Sequence, residues 1–107
     1  MEDRFFGLPR FRCAHGTIVD APTHAGIFGL FDGDELIYVG RATNDAGSTI
    51  RDLLAGHCKG QYGSCTAKAT HYTFEICLQP VLREMEVLVD FANRHRQAPR
   101  CQKKDLS

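Results

Sequence analysis

A chain of 107 residues fits one domain and leaves no room for a second core. Hydrophobic residues make up 43% and charged residues 24%, the balance of a soluble globular protein, and no apolar run approaches the roughly 20 residues that cross a bilayer. Lys and Arg number 13 against 13 Asp and Glu, so the chain lacks the positive excess of a stable nucleic-acid binder, and any grip on phosphate must come from local charge.

That local charge is uneven. Arg94, Arg96, Arg100, Lys103 and Lys104 cluster late in the chain, while Asp32, Asp34 and Glu35 share a turn. The stretch from Met1 to Arg12 holds no continuous apolar segment, so no secretory signal is read there and the cytoplasm is the expected compartment. The five cysteines, Cys13, Cys58, Cys65, Cys77 and Cys101, are an odd set. Without a secretory signal they are expected to stay reduced and fill small spaces. His57, Cys58, Cys65 and His71 could supply four zinc ligands by composition, but no CxxC pair gives them the usual spacing.

In chain order, residues 1–24 read as an arm, broken by Gly7, Pro9, Gly16 and Pro22. Phe5, Phe6, Leu8 and Phe11 are expected to anchor it on the body. Residues 25–102 form the domain and 103–107 a tail. The apolar run 25–31 reads as a buried strand, Asp32 to Glu35 as a hairpin turn, and 36–40 as the returning antiparallel strand. A loop spans 41–47. A helix from about Thr49 to His57 follows, with Thr49 and Asp52 at capping-box spacing and Ile50, Leu53, Leu54 and His57 on one stripe. Residues 69–78 alternate as a third strand, with Tyr72, Phe74, Ile76 and Leu78 on its core face. Pro80 stops that strand and precedes a helix from Val81 to about His95. The expected fold is α+β, a three-stranded, mainly antiparallel sheet flanked by helices.

On the last helix, Leu82, Met85, Leu88, Val89, Phe91 and Ala92 project to one broad side and Glu84 falls within it; Glu86, Asp90 and Asn93 project to the other. An inward carboxylate costs several kcal/mol, on the order of a buried unpaired polar group, unless a cation, a donor or a metal meets it. This selects Glu84 over Glu86 as a metal ligand, with a structural ion pair as its plainer role.

Gly26-Ile27-Phe28, a hairpin, Tyr38-Val39-Gly40, a helix ending at His57, a third strand, and Arg83-Glu84 opening the last helix occur in one order. In that order and spacing the chain resembles the GIY-YIG endonucleases over residues 25–102. The resemblance implies a small domain that cuts phosphodiester bonds with one divalent ion, Mg2+ or Mn2+, held by a single glutamate, here Glu84. It implies catalytic roles for Tyr38, Arg41, His57 and Glu84, with Tyr38 and His57 near the attacking water. It implies substrate contacts for Gly40, Arg41 and Gln102. Read from the residues alone, Tyr38 is a strand aromatic, Arg41 a surface charge and His57 a satisfied core histidine.

Three positions depart from the family pattern. Phe28 stands where tyrosine is common and cannot exchange a proton. Leu53 stands where the catalytic arginine usually lies, four residues before His57. Arg51 is the nearest arginine on that helix, although it points about 160° away from Leu53; Arg41 is the other candidate. Gln102 stands where asparagine is common. The expected activity is a metal-dependent DNA endonuclease or nickase acting on single-stranded or branched DNA, with a tethering partner or a homodimer supplying substrate choice. The alternative is a GIY-YIG-fold nucleic-acid or protein binding module that has lost the chemistry.

Overall fold

The computed structural model describes residues 2–45 and 48–102. The expected tail 103–107, with Lys103 and Lys104, lies outside the described residues, as do residues 46–47 of the expected loop. The elements run from a 3-10 turn at Arg4–Gly7 through β1 (Phe11–Arg12), α1 (His15–Ile18), β2 (Gly26–Asp32) and β3 (Glu35–Ala42). They continue with α2 (Ile50–Cys58), α3 (Ser64–Ala67), β4 (His71–Ile76) and α4 (Pro80–His95).

The α+β class holds, but the sheet has four strands rather than three, in the order β1-β4-β2-β3, with every pairing antiparallel. The added strand comes from the arm. Phe11 and Arg12 pair with Tyr72 and His71, and two residues carry no periodicity that a sequence could reveal.

β2 is central and its apolar run serves both faces. Ile27 and Phe31 point to one side, where they join Phe5, Val39, Val87 and Phe91. Phe28 and Leu30 point to the other, where they join Ile50, Leu54 and Tyr72. The sheet is thus covered by α4 and the arm on one face and by α1 and α2 on the other. A strand buried on both sides reads as a continuous apolar run because neither face needs polar residues. The hairpin forms as read, with Gly33 at φ 63° in the turn. A bulge follows: Leu30 pairs with Tyr38 and Phe31 with Leu36, leaving Ile37 as the extra residue.

The Thr49–Asp52 capping box is present in both directions and starts α2. The arm is held firmly. Phe5 is fully buried, and Thr73 donates to the Pro9 carbonyl at 2.7 Å. Thr73 is therefore buried on the face of β4 expected to be polar, while Ile76 and Leu78, expected in the core, are exposed.

α4 packs in a register different from the one expected. Its buried line is Pro80, Val87 and Phe91, while Leu82, Met85 and Val89 are about half exposed or more. The apolar count on a helix does not fix which line meets the sheet. Here the large Val87–Phe91 line fits over Val39 and Ile27, and the Leu82–Met85–Val89 line turns outward.

The expectation of reduced cysteines fails for one pair: Cys65 and Cys101 are joined by a disulfide. Residues 36 apart in sequence cannot announce that they meet. Closing a loop of that length stabilises by about 2–4 kcal/mol, mainly by restricting the unfolded chain. The Cys65→Ser/Cys101→Ser variant is expected to melt correspondingly earlier. Its melting, unlike that of the native chain, should be indifferent to reductant at this pair.

Candidate active site

A cleft of about 620 Å³ runs along the outer edge of β3 and is lined by Tyr38, Arg41, His57, Tyr62 and Gln102 among others. Three elements aim these side chains. The bulged β3 presents Tyr38 on the α2 side. The last turn of α2 brings His57 to it, with ring centroids 4.8 Å apart. Tyr62, from the loop after α2, also lies against the imidazole, with ring centroids 4.5 Å apart.

His57 is buried, and its Nδ1 lies 2.9 Å from the Thr66 hydroxyl. Burial pushes its pKa down from 6.5 to about 4, so the ring is neutral at pH 7. Burial likewise pushes the Tyr38 hydroxyl up, the Glu84 charge pushes it further, and Arg41 opposes them. Tyr38 therefore remains a protonated donor. A neutral imidazole beside a protonated phenol can accept a proton and donate a hydrogen bond at neutral pH.

Arg41 occupies the α4 side of β3, opposite Ile27. Because β3 is the edge strand, its guanidinium reaches the cleft while touching α4. Its Nη1 donates to Glu84 Oε1 at 2.7 Å, and the Glu84 side chain is 14% exposed. Glu84 does not itself line the cleft. It meets the site through Arg41, and its charge is felt at Tyr38. Among the described residues no three His, Cys, Asp or Glu side chains converge on one point. A divalent ion here would therefore rest on Glu84 together with water and substrate oxygens, an arrangement magnesium accepts. The Glu84 oxygen not held by Arg41 is a donor of the hard type such an ion takes.

Three other candidate positions, Arg51, Gln102 and Gly40, are engaged by the chain itself. Arg51 lies apart from the cleft; its Nε donates to the Ala21 carbonyl at 3.0 Å and it lines a different cavity beside α1. The helical angle placed it there, so Arg41 is the arginine of this site. Gln102 lines the cleft, but its amide is engaged by backbone: Val39 N–H donates to Oε1 at 2.9 Å and Nε2 donates to the Val39 carbonyl at 2.8 Å. Gly40 is buried rather than open to substrate, because it pairs with Phe28 and a Cβ there would sit 2.4 Å from that ring. The four residues considered for zinc do not gather: Cys65 is in the disulfide, His57 is on Thr66, and His71 contacts Thr70.

Tyr62, Thr66 and the disulfide belong to the cleft and were not read from the sequence. One signal was available. Gly56 sits mid-helix, where glycine is costly, and a Cβ there would lie 2.5 Å from the Tyr62 ring. A glycine next to a stripe histidine marks a close approach from outside the helix.

No family model, no curated protein and no solved structure matches the chain. Among the described residues no helix is long and apolar enough to cross a membrane.

The buried histidine sets an acid limit. Its folded pKa lies below its ordinary one, so the unfolded chain binds more protons between pH 6.5 and 4. Stability is expected to fall by about 2–3 kcal/mol as pH drops through that window. Asp3, held down from 3.8 to about 2 chiefly by its hydrogen bonds from Arg83, adds a second loss at lower pH. Urea unfolding measured from pH 7 to 3 checks this, and His57→Gln should flatten the upper segment alone.

Proposed function

We propose that this chain is a metal-dependent DNA endonuclease or nickase that hydrolyses a phosphodiester bond at the β3-edge cleft. The observation that carries the reading is Arg41, which lines the cleft holding Tyr38 and His57 while paired at 2.7 Å with the half-buried Glu84. The order of Gly26-Ile27-Phe28, Tyr38-Val39-Gly40, His57 and Arg83-Glu84, which resembles the GIY-YIG endonucleases, supports it.

In this reading His57, neutral through burial, accepts a proton from the attacking water. Tyr38 donates its hydroxyl to a phosphate oxygen. Arg41 presents a planar fork to two phosphate oxygens. Glu84 would hold the divalent ion, which when bound neutralises charge developing on phosphorus. The balanced net charge favours brief contact with single strands, flaps or repair intermediates, with a tethering protein or a second copy setting the target.

The test is cleavage of single-stranded, double-stranded and branched DNA in Mg2+ or Mn2+. The expected result is cutting by the native chain and none by Glu84→Ala. Equal cutting by both proteins would trace the activity to a contaminant and reject the assignment.

A second reading is a binding module that kept the fold and lost the chemistry. Phe28 and Leu53 favour it, since both line the cleft where the resemblance expects a tyrosine and an arginine. DNA binding without cleavage in every metal would select it.

A further inference from the structure

A separate cavity of about 240 Å³ opens between α1 and the back of α2. Cys13 and Cys58 both line it, together with His15, Arg51 and Lys59. We infer that Cys13 and Cys58 form a redox-modification site, a dithiol that closes to an intramolecular disulfide by exchange with a small carboxylate-bearing disulfide.

The geometry rests on two segments far apart in sequence. Cys13 follows β1 and is fixed where its N–H donates to the Thr70 carbonyl at 2.9 Å. Cys58 is the last residue of α2, packed through the same core cluster. Both residues line the one cavity and pack on the one cluster, and each is half-buried, so reagent can reach the sulfurs. The two thiols are shifted in opposite directions. Cys58 is pushed below the ordinary thiol value by the Cys13 hydrogen bond, while Cys13 is pushed up by that bond and by burial. Cys58 is thus the attacking thiolate and Cys13 the resolving thiol. Arg51 and Lys59 give the cavity a positive wall, which suits an approaching carboxylate.

The exchange balances. The Cys58 thiolate bonds to one sulfur of the small disulfide and expels the other as a thiolate. Cys13 then attacks the Cys58 sulfur and releases the second small thiol. Two protein thiols are oxidised, one small disulfide is reduced, and the two protons lost by the protein end on the two released thiols. Cys77 is the remaining free cysteine and lies on another part of the molecule, beside Glu75 and Arg83. It serves as an internal control, and the proposal does not depend on the nuclease reading.

The full chain is incubated with glutathione disulfide, free thiols are trapped by alkylation, and the peptides are mapped by mass. The expected result is joint loss of alkylation at Cys13 and Cys58, about tenfold or more, with recovery of the two peptides linked to each other. In Cys13→Ser the exchange is expected to halt with glutathione on Cys58. Alkylation of Cys13 and Cys58 unchanged from the untreated protein overturns the proposal. So does glutathione that stays on Cys58 in the native chain. Where Cys13→Ser fails to fold by circular dichroism, the native map decides alone.

Discussion

Replacing Arg83 by Leu is expected to destabilise the protein by about 3–5 kcal/mol, the largest single-residue effect anticipated for the fold. The guanidinium is 11% exposed and serves two elements and the arm together. Its Nη2 lies 2.7 Å from Asp3 Oδ1, its Nε lies 2.8 Å from Glu75 Oε2, and its Nη1 lies 3.2 Å from Glu86. The side chains of Asp3 and Glu75 are themselves only 18% and 12% exposed. Removing the cation leaves two shielded carboxylates facing each other, with the exposed Arg4 as the remaining partner of Glu75. The cost is that of stranded charge more than of lost attraction. The triple variant Arg83→Leu/Asp3→Asn/Glu75→Gln is therefore expected to recover much of the loss. Chemical denaturation at pH 7 measures both. A change under about 1 kcal/mol for Arg83→Leu would mean that the group behaves as an ordinary surface pair.

Replacing Arg41 by Gln is expected to reduce cleavage by about 10²- to 10³-fold while changing stability by about 1 kcal/mol or less. The separation of the two effects is the point. Arg41 is 48% exposed on the edge strand, so its pair with Glu84 contributes little to the fold. In the proposed reaction it is the cation at the cleft, because Leu53 fills the α2 position and Arg51 serves the Ala21 carbonyl elsewhere. Arg41→Lys keeps the charge but loses the planar fork and should fall between the two. Single-turnover rates at saturating Mg2+ give the comparison. An Arg41→Gln protein that cuts at the native rate would remove the reading in which this side chain meets phosphate.

The sequence made local structure legible wherever one residue pattern had one physical outcome. The apolar run of β2, the Asp32-Gly33 turn and the Thr49–Asp52 box all form as read, because each is decided by neighbours within a few residues. What it hid depends on distant contact. Phe11 and Arg12 become a strand only because β4 offers them an edge. Cys65 and Cys101 become a disulfide only because the segment after α4 returns to β3, where the Cys101 N–H donates to the Ile37 carbonyl at 2.8 Å. The rotation of α4 is hidden from the sequence for the same reason. Its apolar residues are numerous enough to offer two lines, and the shape of the sheet beneath chose Val87 and Phe91.

The candidate site divides along the same boundary. Tyr38 and His57 lie together, as their elements dictate, and the inward bias of Glu84 brings it to an arginine. Gly40 and Gln102, to which the resemblance gives substrate contacts, meet the chain itself, one beneath the Phe28 ring and the other on the backbone of Val39. Residue type marks what a side chain can do; only the finished surface decides whether its partner is a ligand or the chain itself.

The bonds that Cys101 and Gln102 make to β3 have a consequence for how molecules of this protein treat one another. A sheet has two margins, and each can recruit a stranger's backbone. On one margin β1 is only two residues long. On the other, the Cys101 amide and the Gln102 carboxamide occupy the outward groups of Ile37 and Val39 like a sheath over a blade. A chain ending at Pro99, without Cys101 and the disulfide that ties it to Cys65, would bare that row of donors and acceptors, and such molecules should zip together into ribbons far more readily than the intact protein.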